Sequence, residues 1–269
     1  MNMKFSVLMS VYGKDKANEL DQSLKSVVES TVKPAEIVLV KDGMLPEDLN
    51  TIIREYALKF PFFQVIQLPL NGGLAHALNV GLKYCSNDYI ARMDSDDITL
   101  PERFEKQLAF LDENADVDCV GTWAIEIKSD GSEFFRKQMP ETHEACREFF
   151  MQRDCMIHPT VMFRRSYFEK AGNYAEDTYF GEDTMMWAQG FANGCKFANV
   201  PEYLFKFRLN DDFFSRRRGW KHAKGILTLR WKVNKMLGYP LKSYLYAIAY
   251  AGAKLIPKSI LNLIYKTAR

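Results

Sequence analysis

The sequence predicts an α/β protein, an open and mostly parallel sheet flanked by helices, with a basic helical extension at its C-terminus. Three observations carry this reading. Short apolar runs alternate with amphipathic stretches through the first hundred residues, polar and acidic residues stand directly after those runs, and the sign of the charge changes along the chain. The 269 residues are 47% hydrophobic and 26% charged, ordinary proportions that exclude a disordered, collagen-like or coiled-coil chain. The five cysteines, at 85, 119, 146, 155 and 195, are odd in number and lack Cys-x-x-Cys spacing. That pattern belongs to reduced thiols in a cytoplasmic setting and excludes a disulfide scaffold or zinc knuckle.

Residues 5–12 (FSVLMSVY) and 36–40 (EIVLV) are compact apolar runs and predict buried parallel strands. Between them, residues 18–29 place Leu20, Leu24, Val27 and Val28 on one helical face, and Pro34 punctuates the return. Strand, helix and strand in this order form a right-handed βαβ unit. The alternation continues with a helix over 49–60, a strand over 63–67, a helix over 74–84 and a strand over 89–93. Beyond Pro101 it loosens: 103–113 reads as helix, 117–127 as strand, Asp130-Gly131 as a hairpin turn, and helices resume near Thr142 and over 183–193. The apolar run near the N-terminus is too short for a signal-peptide core and leads into Gly13-Lys14-Asp15 with no cleavage site, so the fold is expected to begin with the chain.

Net charge is +2 overall, yet residues 206–269 carry fifteen Lys or Arg against Asp211 and Asp212, a local +13 that leaves −11 upstream. A basic tail with interleaved aromatics suits an anionic membrane leaflet or nucleic acid. The alternative is a basic helical cap packed on the body or a dimer interface. Within it, residues 241–265 are interrupted by Lys254, Pro257 and Lys258, leaving about half the ~20 apolar residues that a span needs. An in-plane amphipathic segment is the expectation. The expected division is an α/β body over 1–215, its first half ending near 100, and a tail over 216–269.

In open α/β sheets the ligand crevice lies beyond the carboxyl ends of the strands. There the chain offers Ser10-Val11-Tyr12, then Asp42-Gly43, then Asp94-Ser95-Asp96-Asp97. Three acids in four residues repel one another, which a fold tolerates where a cation sits; for Asp97 a helix-capping role is the first reading. No glycine-rich phosphate loop of either common type is present, so a Rossmann dehydrogenase or P-loop ATPase is disfavoured. A bound diphosphate would then be neutralised by a divalent metal on the carboxylates.

Five segments in this order resemble the family 2 glycosyltransferases: FSVLMSVYGKD, EIVLVKDG, NGGLAHALNVGL, MDSDD and GEDTMMWAQG. Together they cover roughly residues 4–215. The resemblance implies the GT-A nucleotide-sugar-binding fold and a metal-dependent, inverting transfer of a sugar from a nucleotide diphosphate, most often UDP. It further implies roles for single residues. Tyr12 would stack on the base with Ser10 nearby, unless it only packs the strand end. Asp42 would accept from the base imide, Asn71 and Gly73 would form the nucleotide-side turn, Asp94 would face the ribose, and Asp96, with Asp94 beside it, would hold Mn2+ or Mg2+. Asp183 is the candidate general base with Glu182 as the fallback. Trp187 would be core or an acceptor platform, and His158 would contact donor or acceptor, or be structural.

Arg164 and Arg165 could meet a diphosphate or only solvent, and Arg216 to Arg218 could hold the diphosphate of donor or acceptor. The chain departs from the family pattern in two places: Lys41 precedes Asp42 where a second acid is common, and Asn210 stands where many relatives carry a histidine. The wording of the motifs resembles bacterial enzymes that build O-antigen or exopolysaccharide repeat units. That implies a UDP-hexose donor, galactose or glucose, and an acceptor sugar of GlcNAc type on undecaprenyl diphosphate. It also implies a place on the inner face of the bacterial inner membrane, peripheral to the anionic leaflet, and no nucleic-acid partner. A non-catalytic nucleotide-sugar-binding subunit of an assembly complex is the alternative.

Overall fold

The computed structural model describes residues 3–177, 180–210 and 218–255. Its first half is the predicted alternation. Strands β1 (Phe5–Tyr12), β2 (Glu36–Asp42), β3 (Phe63–Gln67) and β4 (Tyr89–Asp94) lie parallel in the order β3-β2-β1-β4. Alternate side chains of β1 enter two different cores. Phe5, Val7, Met9 and Val11 pack against Leu20, Leu24 and Val27 of α1 (Ala17–Val28) and Leu49 and Ile53 of α2 (Glu47–Lys59). Leu8 points the other way, with Val38 and Val40, onto Ala77, Leu78 and Leu82 of α3 (Leu74–Leu82). Burial on both faces is why these strands read as continuous apolar runs. Helix α3 approaches closely because residue 81 is glycine; a Cβ there would lie 2.4 Å from Leu8 Cδ1.

The second half of the sheet is mixed. The full order is β3-β2-β1-β4-β8-β6-β9-β5, with β7 outside on β6. Strand β8 (Met162–Arg164) is antiparallel to both β4 and β6 (Cys119–Lys128). Strand β9 (Phe197–Leu209) runs parallel to β6, β5 (Ile98–Thr99) antiparallel to β9, and β7 (Glu133–Lys137) antiparallel to β6 through the Asp130-Gly131 turn. Half of the strand pairs are therefore antiparallel, but the parallel pairs are the longer ones, β6 with β9 above all.

Helix α4 (Arg103–Glu113) sews the two halves together from beneath. Arg103 is fully buried and donates to the carbonyls of Arg92 (2.8 Å) and Val161 (3.3 Å), while Gln107 donates to Val120 (2.9 Å) and Thr160 (2.8 Å). The remaining helices are α5 (His143–Phe150), capped by Thr142 accepting from the Ala145 amide, α6 (Ser166–Ala171), α7 (Glu182–Ala192), α8 (Trp220–Met236) and α9 (Leu241–Ala253). Helix α8 packs on the body: Val233 joins the core that holds α7, and buried Arg230 donates to Asp154 Oδ1 (2.8 Å) and to the Phe150 carbonyl (3.0 Å). Helix α9 lies on α8 through Ser243, Ala247 and Ala251. Among the described residues no helix is long and apolar enough to cross a membrane.

Candidate active site

The registers of the parallel half bring the predicted strand-end residues level: Tyr12 is opposite Asp42, and Ser10 is opposite both Val40 and Asp94. Asp42 is buried, and its carboxylate builds the next turn. Oδ1 accepts from the Gly72 amide (2.7 Å), and Oδ2 accepts from Asn71 Nδ2 (2.9 Å) and the Gly73 amide (3.0 Å). Gly73 is left-handed, at φ 85°, and opens α3, a backbone state that favours glycine. A carboxylate has about four acceptor positions, so one remains beyond this turn. Asn71 and Gly73, in the loop between β3 and α3, are thus held against Asp42.

The carboxylates after β4 come together. Oxygens of Asp94, Asp96 and Asp97 lie within 4.8 Å of one another. Burial, with the charges of Asp94 and Asp15 behind it, pushes Asp96 up to about 7; burial and the charges of Asp96 and Asp94 raise Asp97 well above the usual range. Asp97 does not cap α4. Its Oδ1 accepts from the Arg208 amide (2.7 Å) at the end of β9, and its Oδ2 is buried without a hydrogen-bond partner. From the same strand end, Arg208 Nε donates to the Asp96 carbonyl (2.7 Å), and Asn210 Nδ2 donates to Asp96 Oδ2 (2.9 Å). Asn210, one of the two departures from the family pattern, thus stands on Asp96, and its own carbonyl oxygen is buried and unbonded.

Three participants escaped the sequence reading. Arg92, two residues before Asp94 and so on the same strand face, is fully buried and ion-pairs with it. Arg208 pins the cluster from β9. Asp15, in the turn after β1, accepts from the Tyr12 amide (3.1 Å) and from Ser95 Oγ (2.7 Å), and burial pushes it to about 6. Only Asp15 had a visible signal, an acid directly after a strand-end turn.

The other predicted acids lie at the start of α7. Gly181 at φ 82° turns the chain into the helix, Glu182 and Asp183 occupy its first turn partly exposed, and Asp183 Oδ1 accepts from the Thr184 amide (2.7 Å). A carboxylate there is favoured by the helix N-terminus. Tyr174 links this end to the nucleotide half. Asn79 of α3 clamps its backbone from both sides, donating to its carbonyl and accepting from its amide at 2.9 Å each, and its hydroxyl meets His158 Nε2 at 2.9 Å. Burial raises the Tyr174 phenol, the charges of Asp183 and Glu182 add to the rise, and Arg92 opposes it.

Three expectations are corrected, those for Trp187, for His158 and for Arg164 with Arg165. Trp187 is entirely buried, packed edge-on to His158 and Phe197, so no face of the indole is open to a sugar. His158 is buried beside it, kept neutral by burial and by Arg92, with its Nε2 engaged by Tyr174; it belongs to the framework. Arg164 and Arg165 spend their guanidinium groups on main-chain carbonyls, those of Val117 and Leu111 for the first and Cys85 and Asn87 for the second, and do not face a diphosphate. Arg216 and Arg217 lie outside the described residues.

The donor set fits a hard divalent cation. It is all oxygen, its three acids outnumber the one arginine paired with them, and Asp97 Oδ2 is a buried acceptor lacking a donor; Mg2+ and Mn2+ prefer such ligands.

Residues 6–172 match the model of the family described as glycosyl transferase family 2. The chain belongs to that family. A family 2 glycosyltransferase is an enzyme, and its relatives span the whole chain. An amylovoran biosynthesis glycosyltransferase of Erwinia amylovora is 35% identical over 267 residues, covering 98% of this chain and 99% of its own. A UDP-Gal:α-D-GlcNAc-diphosphoundecaprenol β-1,3-galactosyltransferase of Escherichia coli is 31% identical over 265 residues, covering 98% and 95%. Among solved structures, S. aureus TarS 1–349 in complex with UDP-GlcNAc superposes with a TM-score of 0.64 at 19% identity, covering 96% of this chain and 83% of that one. At that identity the likeness establishes the GT-A fold alone.

Proposed function

We propose that this glycosyltransferase moves a hexose from a UDP-sugar, galactose or glucose, to a GlcNAc-type sugar carried on undecaprenyl diphosphate, with inversion at the anomeric carbon. The product would be a repeat unit of a bacterial surface polysaccharide, made at the inner face of the inner membrane. The single observation that carries this reading is the carboxylate cluster at the tip of β4, level with Tyr12 and Asp42. The full-length likeness to the E. coli galactosyltransferase supports the choice of donor and acceptor.

In this reading Tyr12 stacks on the uracil, with Ser10 beside it, and the free acceptor position of Asp42 takes the base imide. The turn at Asn71 and Gly73 and the amides opening α3 face the anionic side of the nucleotide. Asp94, fixed by Arg92, faces the ribose; Asp96, with Asp94 and Asp97 beside it, holds Mn2+ or Mg2+. When bound, that cation supplies neutralisation of the charge gathering on the departing UDP. Asp183 takes the proton of the acceptor hydroxyl while its oxygen bonds to the anomeric carbon and the bond from that carbon to the diphosphate breaks. Glu182 is the neighbouring carboxylate should Asp183 only orient the hydroxyl. Partial exposure suits a base that receives a bulky acceptor.

The test is UDP release by purified protein from a panel of UDP-hexoses, with and without Mn2+ and a short-chain GlcNAc-diphosphate acceptor. Release from one hexose, dependent on both metal and acceptor, is the expected result. Metal-dependent UDP binding without release from any of them would replace this reading with that of a non-catalytic subunit.

A further inference from the structure

Helix α9 is built inside out for a solvent-facing helix. Its buried side is small and partly polar, Ser243, Ala247 and Ala251, resting on α8. The opposite side carries Leu241, Leu245 and Ile248, at 77%, 61% and 52% exposure, with Ala249 and Gly252 between them and Leu255 beyond. The spacing i, i+4, i+7 makes these a single row along one face. A helix at a protein surface normally turns polar residues outward, and this row holds none. Tyr246 and Tyr250 flank the row, each 40% exposed.

The neighbouring helix extends the surface and adds charge. Trp220 and Trp231 of α8 are 78% and 50% exposed, Trp231 packs edge-on against Tyr244 of α9, and Lys224, Lys235 and Lys242 are exposed around them, while Lys232 pairs with Asp177 of the body at 3.8 Å. From residue 213 to the last residue the sequence contains no Asp or Glu. No part of this tail supplies the counter-charge that the lysines favour, so a second copy of the same surface, or the tail folded back on it, would meet like charge. An apolar row bordered by tryptophans, tyrosines and lysines matches the boundary of an anionic bilayer: the row enters the acyl edge, the aromatics lie at headgroup depth, and the lysines reach the phosphates.

We infer that the outward face of α9, with the exposed tryptophans and lysines of α8, is the surface by which this chain lies on an anionic lipid bilayer. This deepens the reading above by naming the surface and the lipid charge, and rests on that reading only for the location of the acceptor. Because α8 is fixed to the body by Arg230 and Asp154, which also accepts from Thr184 Oγ1 on α7 (2.9 Å), the docked face and the helix bearing Asp183 form one connected unit. The catalytic helix is thereby oriented with respect to the bilayer.

The experiment is sedimentation of the full-length chain with vesicles of phosphatidylglycerol and phosphatidylcholine in equal parts, and with phosphatidylcholine alone. Turnover of a short-chain, water-soluble acceptor is measured in parallel. The wild type is expected to sediment with the anionic vesicles, less so at high salt, and weakly with the neutral ones. The double variant Leu245→Glu and Ile248→Glu is expected to partition at least about tenfold more weakly, since two buried aliphatic side chains are replaced by charges. Its turnover of the soluble acceptor is expected to be unchanged. Failure of the wild type to bind anionic vesicles, equal binding by the variant, or a solution dimer that the variant splits would overturn the inference. If the wild type turns over no acceptor yet binds vesicles, the assigned reaction fails and the docking surface stands.

Discussion

The two halves of the sheet are put together by different means, and the site lies where they meet. In β1 to β4 the strands are all parallel to one another and joined by helical crossovers, and the strand tips line up by register. In the second half β9 returns from far along the chain to pair with β6 and β5, and its end reaches the carboxylates made by the first half. The contrast teaches that the first half supplies the carboxylates and Arg92, which pairs with one of them, whereas the distant half supplies Arg208 and Asn210, which hold the cluster from β9 against its own repulsion.

The largest expected effect separates the halves functionally. Asp96→Asn removes the proposed metal ligand of the donor side, and Asp183→Asn removes the proposed base of the acceptor side; each should lower the rate of transfer by about 10²–10⁴. Steady-state assays with the soluble acceptor check this, and near wild-type turnover by either folded variant would remove that residue from the mechanism.

Next in size is a stability effect that leaves chemistry alone. Trp187→Ala should lose about 3–5 kcal/mol of folding stability, read from denaturant unfolding, while Trp187→Phe keeps the acceptor KM of the wild type. A change in KM without loss of stability would restore the platform role denied to this residue by its burial.

A smaller effect probes the joint. Arg208→Lys keeps the charge and loses the fork that spans the Asp96 carbonyl and Gln22 Oε1. About a tenfold fall in transfer is expected, with KM for the acceptor unmoved, because the disturbance stays on the donor side. An acceptor-side effect would mean that β9 serves both halves equally.

The smallest effect is a pH dependence. Asp15 titrates near 6 in the folded chain against an ordinary 3.8, chiefly through burial. The folded state therefore holds this proton more tightly than the unfolded one. Its contribution is fully present below 3.8 and is lost as pH rises to about 6, by roughly 1.4 kcal/mol per pH unit across that window. Asp15→Asn should remove that part of the slope in a plot of Tm against pH and leave the curve unchanged in shape above this window. An identical slope in the variant would place the titration on another group.

The parallel half was legible because each of its strands is buried on both faces and bounded by turn residues, so pattern and structure coincide. Its tips were legible for the same reason: Tyr12, Asp42 and Asp94 follow directly from where the apolar runs end. Strand β9 was not, since Pro201, Lys206 and Arg208 interrupt its alternation; Pro201 falls where the register with β6 shifts. Arg92 and Arg208 were invisible because a charged residue inside a strand acquires its meaning only from partners far away in sequence. Trp187 and His158 carried motif-like spacing, and burial alone distinguishes framework from surface. The tail's charge was plain in composition, but the apolar row of α9 emerged only once Ser243, Ala247 and Ala251 were seen to face inward.

The division into a donor-holding half and a proton-accepting half is tested most directly by calorimetric titration of UDP, with and without Mn2+, into the wild type, Asp96→Asn and Asp183→Asn. The account predicts that Mn2+ strengthens UDP binding by the wild type and by Asp183→Asn, and that Asp96→Asn loses this dependence. Loss of metal-dependent binding in Asp183→Asn, or its retention in Asp96→Asn, would contradict it.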